Sequence, residues 1–282
     1  MATFYNQATL SYNGGTTNSN VTVGELVEVL SVTKTAITPT YTAGSSVVYA
    51  ISLVNSGPSA LNDLTVSDDL GAFPFTTGTL TPLTYTEGSL RLFVDGVAVD
   101  SPTVNAGPPL TISGINLPAG ANAFIIYEVS ANSFAPLAAD SNSVNTVTVT
   151  GSGITEPVTD NAVITTDSAP SLTITKSICP EVITDNGVLT YTFIIQNTSG
   201  SEATAEANIS VTDIFTPVLN NISVTLDGAA FPATSYTYNE TTGAFSTTPG
   251  QITVPAATFT QGASGEIIST PGVTVLKISG TV

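Results

Sequence analysis

Apolar and polar residues alternate with a period of two in short runs along most of the chain. Ala8-Thr-Leu-Ser-Tyr12, Val47-Val-Tyr-Ala-Ile-Ser-Leu53, Thr146-Val-Thr-Val-Thr150 and Leu172-Thr-Ile-Thr-Lys176 each place every second side chain on one face. That period marks half-buried β-strands, and clusters of Gly, Pro, Asn and Asp bound the runs at strand-length spacing. Asp95-Gly96, Asp227-Gly228 and Pro118-Ala-Gly120 read as turns. No convincing amphipathic helix emerges, and the Ala-rich stretch 134–139 has room for one short helical turn. The pattern predicts an all-β protein of tandem immunoglobulin-like β-sandwich domains.

Ordered landmarks occur twice. Ser31-Val-Thr-Lys34 matches Thr173-Ile-Thr-Lys176, and Tyr49 precedes Asn55 by the interval that separates Tyr191 from Asn197. Val66-Ser-Asp68 then matches Val211-Thr-Asp213, and Phe93-Val-Asp95-Gly96 matches Thr225-Leu-Asp227-Gly228. Between the copies, Thr166-Asp-Ser-Ala-Pro170 reads as a small polar linker. The expected domains are residues 26–168, a complete repeat, and 169–282, a second repeat, preceded by a β-hairpin over residues 1–25.

The copies end differently. Phe124–Ser130 aligns with Val273–Ser279, after which the first copy continues through Val144–Val149 and Asp160–Ile164, and the second stops. The second copy is therefore expected to lack a terminal hairpin. Tyr5-Asn-Gln-Ala-Thr-Leu-Ser11 resembles Val144-Asn-Thr-Val-Thr-Val-Thr150, and Ser19-Asn-Val-Thr-Val23 resembles Asp160-Asn-Ala-Val-Ile164, so the leading hairpin looks like the displaced piece. A sandwich without its last strands exposes backbone donors, acceptors and core side chains along an edge. The expected strand-exchange residues are Asn6, Ala8, Leu10, Tyr12, Asn20, Val21 and Val23 of the hairpin with Val275 and Ile278 of the second copy. The alternative is an extra hairpin packed on the first domain.

Composition narrows the function classes. Only 9% of residues are charged, and 21 acids face four bases, Lys34, Arg91, Lys176 and Lys277, for a net charge of −17. No cluster of bases is present to hold nucleic acid or an anionic membrane. The chain has no His and no Trp, which removes His-based nucleophile activation and the usual zinc ligand sets. Asp63, Asp68 and Asp69 form no calcium-loop motif. No enzyme activity, cofactor or metal site is expected. Residues 1–20 lack a basic segment followed by an apolar run, so no signal peptide is expected.

The Thr-Lys strand, the Tyr-containing strand ending in Asn and the Val-Thr/Ser-Asp strand resemble the conserved-repeat "domain of unknown function eleven" family, over about residues 31–166 and 171–282. That family occurs, usually in tandem, in bacterial and archaeal cell-surface and appendage proteins. The opening Phe4–Tyr12 also resembles the start of such proteins from spore-forming bacteria. The resemblance implies a non-catalytic structural subunit of an extracellular or spore-surface filament, assembled in the mother cell and released by lysis. Its partners would be copies of itself, head to tail, with other appendage or surface-anchoring proteins. The alternative is a monomeric surface module for adhesion or ligand binding.

Lys34 and Lys176 occupy equivalent places in a chain with only three lysines, as do Asp68 and Asp213. One reading is a Lys–Asn isopeptide crosslink of the kind found in other surface sandwiches. Its groups would be Lys34, Asp68 and Asn145 (or Asn161) in the first copy, and Lys176, Asp213 and a neighbour's Asn6 (or Asn20) in the second. The other reading is a Lys–Asp ion pair joining two strands, with Asn as a turn residue. Cys179 stands alone, either as a site for an intermolecular disulfide or as a small buried hydrophobe.

Overall fold

The computed structural model describes the chain except Met1, Val27, Thr77 and Ser101 and the side chains of Ala2 and Leu26. Strands β1 (Ala2–Asn6), β2 (Thr9–Tyr12), β3 (Gly15–Asn18) and β4 (Thr22–Leu26) form an antiparallel hairpin, β1 on β4 and β2 on β3. Among the described residues none of the four pairs with a strand of either sandwich. Phe4, Tyr5, Leu10, Tyr12, Val21 and Val23 are all exposed. The hairpin has strand-forming residues and no core.

The first sandwich contains β5 (Leu30–Ala36), β6 (Thr40–Tyr41), β7 (Ser46–Asn55), β8 (Leu61–Asp68), β9 (Phe73–Phe75), β10 (Gly78–Leu80) and β11 (Leu83–Tyr85). It continues with β12 (Arg91–Val94), β13 (Val97–Ala98), β14 (Thr103–Asn105), β15 (Leu110–Leu117), β16 (Asn122–Ala131), β17 (Asn142–Ser152) and β18 (Val158–Thr166). One sheet runs β13-β12-β16-β7-β5, with β11 also on β16, and the other runs β14-β15-β8-β17-β18-β6. Alternate residues point inward and meet in one core that includes Ile51, Leu64, Ile112, Ile125, Val147 and Ile164. β5 is the last strand of its sheet, and β18 lies along its free side. There the Lys34 amide donates to Asp160 Oδ2 at 2.7 Å.

The second sandwich contains β19 (Leu172–Cys179), β20 (Val188–Asn197), β21 (Thr212–Ile214), β22 (Asn220–Leu226) and β23 (Ala229–Ala230). Then follow β24 (Tyr236–Tyr238), β25 (Ala244–Thr247), β26 (Thr258–Gln261), β27 (Ile267–Thr270) and β28 (Gly272–Thr281). Its sheets run β19-β20-β28-β22-β23 and β21-β25-β24, around a core that includes Tyr191, Phe193, Phe215, Phe245 and Ile278. The chain is thus two tandem immunoglobulin-like β-sandwiches behind a hairpin. Among the described residues the only helical elements are 3₁₀ turns at Ala205–Ala207 and Ala233–Ser235. The Ala-rich stretch 134–139 holds no helix. Ala138 instead bridges Gly200 of the second sandwich, so close that a Cβ there would stand 2.7 Å from the Ala139 amide nitrogen.

The repeated landmarks have structural causes. Asp95 (φ 48°) and Gly96 (φ 78°) match Asp227 (φ 49°) and Gly228 (φ 82°), the left-handed pair of a two-residue hairpin turn. Asn55 is fully buried and its Nδ2 donates to the Ser59, Leu117 and Pro118 carbonyls at 2.8, 3.2 and 2.8 Å. Asn197 does the same for Ser201 and Pro255 at 2.7 and 3.2 Å. One expected correspondence shifts. Tyr127 lies opposite Tyr49 in β16/β7, whereas Ile278 lies opposite Tyr191 in β28/β20. The counterpart of Tyr127 is Ile278, two residues beyond the Leu276 that sequence matching aligns with it.

Removing the Asn55 amide takes the donor from the Ser59, Leu117 and Pro118 carbonyls and the acceptor from the buried Gly57 amide. Asn55→Ala should cost about 2–4 kcal/mol. The check is the urea midpoint of the first unfolding transition; an unmoved midpoint would contradict the pinning role.

Candidate functional site

Lys34 sits in the middle of β5, on the face turned toward the opposing sheet. Its Nζ pairs with Asp68 Oδ2 at the end of β8, and neither side chain reaches solvent (0% and 0% exposed). The Tyr127 hydroxyl donates to the same Asp68 oxygen, while Asp68 Oδ1 accepts the Leu70 amide at 2.9 Å. Lys34 Nζ lies 4.9 Å from the centre of the Tyr49 ring, which stacks on Tyr127 with centroids 5.8 Å apart. Burial lowers the Lys34 pKa, against the opposing pull of Asp68.

Asn145 completes the cluster from β17. Val147 is the residue opposite Asp68, so Asn145 lies two positions further along on the same inward face. It is fully buried and lies near the Tyr49 and Tyr127 hydroxyls. Neither its nitrogen nor its oxygen has a partner in hydrogen-bond geometry, and the Tyr49 hydroxyl is likewise unpaired. Asn161 faces out of β18 and is exposed, so it takes no part.

The second sandwich carries the same pair in a different setting. Lys176 Nζ pairs with Asp213 Oδ2, but the side chains are 40% and 19% exposed. The rings of Tyr191, Phe193 and Phe215 lie 4.5, 5.6 and 5.7 Å from the ammonium, and Ile278 supplies no hydroxyl where Tyr127 does. Leu172, Ile174, Lys176 and Ile178 correspond in register to Leu30, Val32, Lys34 and Ala36, the face β17 and β18 cover in the first sandwich. In the second sandwich that face is bare, with Ile174 54% exposed. A trench runs between β19 and β21. Ile174, Phe193, Val211 and Asp213 line it on one side of Lys176, and Ile178, Tyr191, Ile214 and Thr216 on the other.

The structure divides the expected exchange residues. Among the described residues β21 pairs only with β25, which leaves its other edge open. β28 is flanked by β20 and β22, with Val275 half-buried and Ile278 fully buried. Val275 and Ile278 therefore offer no edge, because the last strand lies mid-sheet, and they leave the exchange set. Asn6, Ala8, Leu10, Tyr12, Asn20, Val21 and Val23 are all exposed on the hairpin. Cys179 ends β19 as an exposed free thiol and is not the buried hydrophobe. Asp68 is occupied by Lys34 and Asp63 is exposed; among the described residues no three acidic, His or Cys side chains converge as a metal site. Among the described residues no helix is long and apolar enough to cross a membrane. The Tyr127 hydroxyl escaped sequence reasoning, because a tyrosine in an alternating strand looks like any core position.

No family model and no curated protein matches the chain. Similar solved structures include the pilus backbone RrgB from Streptococcus pneumoniae, at 12% identity and TM-score 0.34, over 90% of this chain and 49% of that one. BcpA, the major pilin subunit of Bacillus cereus, is similar at 11% identity and TM-score 0.34, over 95% and 73%. The collagen-binding domain from a Staphylococcus aureus adhesin is similar at 12% identity and TM-score 0.31, over 49% and 99%. The chain spans about half the length of RrgB. Likenesses this distant carry no functional argument.

Burial pushes the Tyr41 phenol up to about 12 and those of Tyr49 and Tyr127 further. An unfolded chain releases tyrosine protons near pH 10, so above that pH the folded state holds more protons and stability falls as pH rises. The first sandwich should lose about 1 kcal/mol per pH unit for each such tyrosine between pH 10 and 12. Urea midpoints at pH 8 and 11 measure this, and Tyr41→Phe should make the fall shallower.

Proposed function

We propose that this chain is a structural subunit of an extracellular filament, polymerising head to tail as the hairpin of one subunit fills the second sandwich of the next. The observation that carries this reading is the trench beside Lys176. It is the place that β17 and β18 fill in the first sandwich, and the exposed hairpin repeats their inward pattern.

The match runs residue by residue. Asn6, Ala8 and Leu10 correspond to Asn145, Val147 and Val149, all buried in β17. Val21 and Val23 correspond to Ala162 and Ile164, buried in β18. Transferred to the second sandwich, the β8/β17 register sets Ala8 opposite Asp213 and Leu10 opposite Val211. β2 then adds to the open edge of β21, and the β5/β18 placement sets Val21 and Val23 over the Ile178 end of β19. Each aliphatic side chain fully buried in this way contributes roughly 1.5–3 kcal/mol.

Closure within one chain is hindered by reach. Residues 27–29 between β4 and β5 span at most roughly 14 Å. β5 alone is about 23 Å long, and the trench lies on the sandwich beyond it. A contact between different surfaces of identical subunits propagates, giving an open filament unless rotation closes a ring. The resemblance to appendage repeats from spore-forming bacteria supports a spore-surface setting.

Purified protein should form filaments by negative-stain electron microscopy. Deleting residues 2–23, or making Leu10→Lys with Val23→Lys, should leave folded, monodisperse particles. Monodisperse wild-type particles would favour an adhesion module, and filaments surviving the deletion would refute strand exchange.

A further inference from the structure

We propose that Lys34 and Asn145 join in an isopeptide bond across the first sandwich, with Asp68 moving the proton, and that Lys176 makes the same bond to Asn6 of a neighbouring subunit. The second bond rests on the strand complementation proposed above; the first does not.

The first sandwich holds the groups such a bond needs, dry and adjacent. A nucleophilic amine must be neutral, and burial draws Lys34 in that direction. Asp68 is in direct contact with the amine and takes its proton. An amide carbonyl becomes electrophilic when an acid donates to its oxygen. Asn145 offers an oxygen and a nitrogen with no other partner, on the strand beside Asp68 and diagonal to it. Buried polar groups in folded proteins are nearly always paired, so an orphaned amide beside a buried amine and acid calls for an explanation.

The step balances without a redox partner. The Lys34 ammonium gives a proton to the Asp68 carboxylate, and neutral Nζ attacks Asn145 Cγ. The Asp68 acid protonates the resulting oxyanion, with Tyr127 held on the same carboxylate. The Cγ–Nζ bond forms as the Cγ–Nδ2 bond breaks. Nδ2 leaves as ammonia, carrying the proton that Nζ loses through Asp68, and departs as ammonium when it takes up the original ammonium proton. Asp68 ends as the carboxylate that began.

In the second sandwich the amine and acid are present but wet, and the amide is missing. Lys176 and Asp213 are partly exposed, and the described residues place no asparagine beside them. Asn6 stands where Asn145 stands in β17. Asn20 corresponds to the outward-facing Asn161 and is not the donor. Arrival of the hairpin would bury Lys176 among Tyr191, Phe193 and Phe215 and so switch on the chemistry only in the assembled filament.

Intact mass spectrometry of the denatured monomer tests the first bond. The wild type should be lighter than its sequence mass by one ammonia, and digestion should yield one branched peptide containing Lys34 and Asn145. Lys34→Met, Asp68→Asn and Asn145→Ala should each restore the full mass. An unshifted mass in folded wild-type protein overturns the proposal whatever the variants do. For the second bond, filaments boiled in detergent should run as a ladder of covalent multimers. Lys176→Met should still form filaments by microscopy but dissolve to monomers. Wild-type filaments that dissolve to monomers would refute the intersubunit bond and leave strand exchange standing. Failure to form filaments would instead refute the assembly reading.

Discussion

A lysine in the middle of a strand keeps its charge when buried only if a carboxylate meets it and something lies across it. Desolvating either charge alone costs several kcal/mol, and the pair offsets that only when geometry and secondary hydrogen bonds are good. In the first sandwich Asp68 meets Lys34, Tyr127 and the Leu70 amide support Asp68, and β17 with β18 supply the cover. The second sandwich repeats the lysine, the aspartate and the tyrosine beneath them, but not the cover. Much else that distinguishes the domains follows: the bare β19, the open edge of β21 and the trench beside Lys176.

The order of parts along the chain is as telling as the parts. β18 ends at Thr166 and, after residues 167–171, β19 opens the next sandwich. β4 ends at Leu26 and, after residues 27–29, β5 opens the first. A hairpin followed by a short linker followed by a Thr-Lys strand therefore occurs twice, and the structure seats the second hairpin, β17 with β18, in a sandwich. In the proposed filament, the join between subunits would repeat the join between domains.

The alternation of side chains made the sandwich class legible, because a period of two has few other causes. The repeats were legible because their landmarks are structural necessities: Asn55 and Asn197 pin loops, and the Asp-Gly pairs need left-handed backbone. Lys34, Asp68 and Asn145 stood out through scarcity and position, and the structure brings them together. Other features depended on sheet order, which is nonlocal. Val275 and Ile278 sit near the end of the chain and so looked like an edge, but β28 lies between β20 and β22. Tyr127 reaches Asp68 only because β16 sits directly opposite Tyr49 on β7. The two-residue shift between Leu276 and Ile278 preserves which face is buried, so alternation alone could not detect it.

The placement of β18 along β5 determines how tension would pass through the first sandwich. The chain enters that domain at Leu30 and leaves it at Thr166, and the end of β18 lies beside residues 39–41, just past the end of β5. The two strands thus run the same way, side by side, and Asp160 latches one to the other. A pull applied to the two ends of the domain would load this contact along its length, in shear. Every contact along the seam would then have to yield together, whereas peeling would break them one at a time.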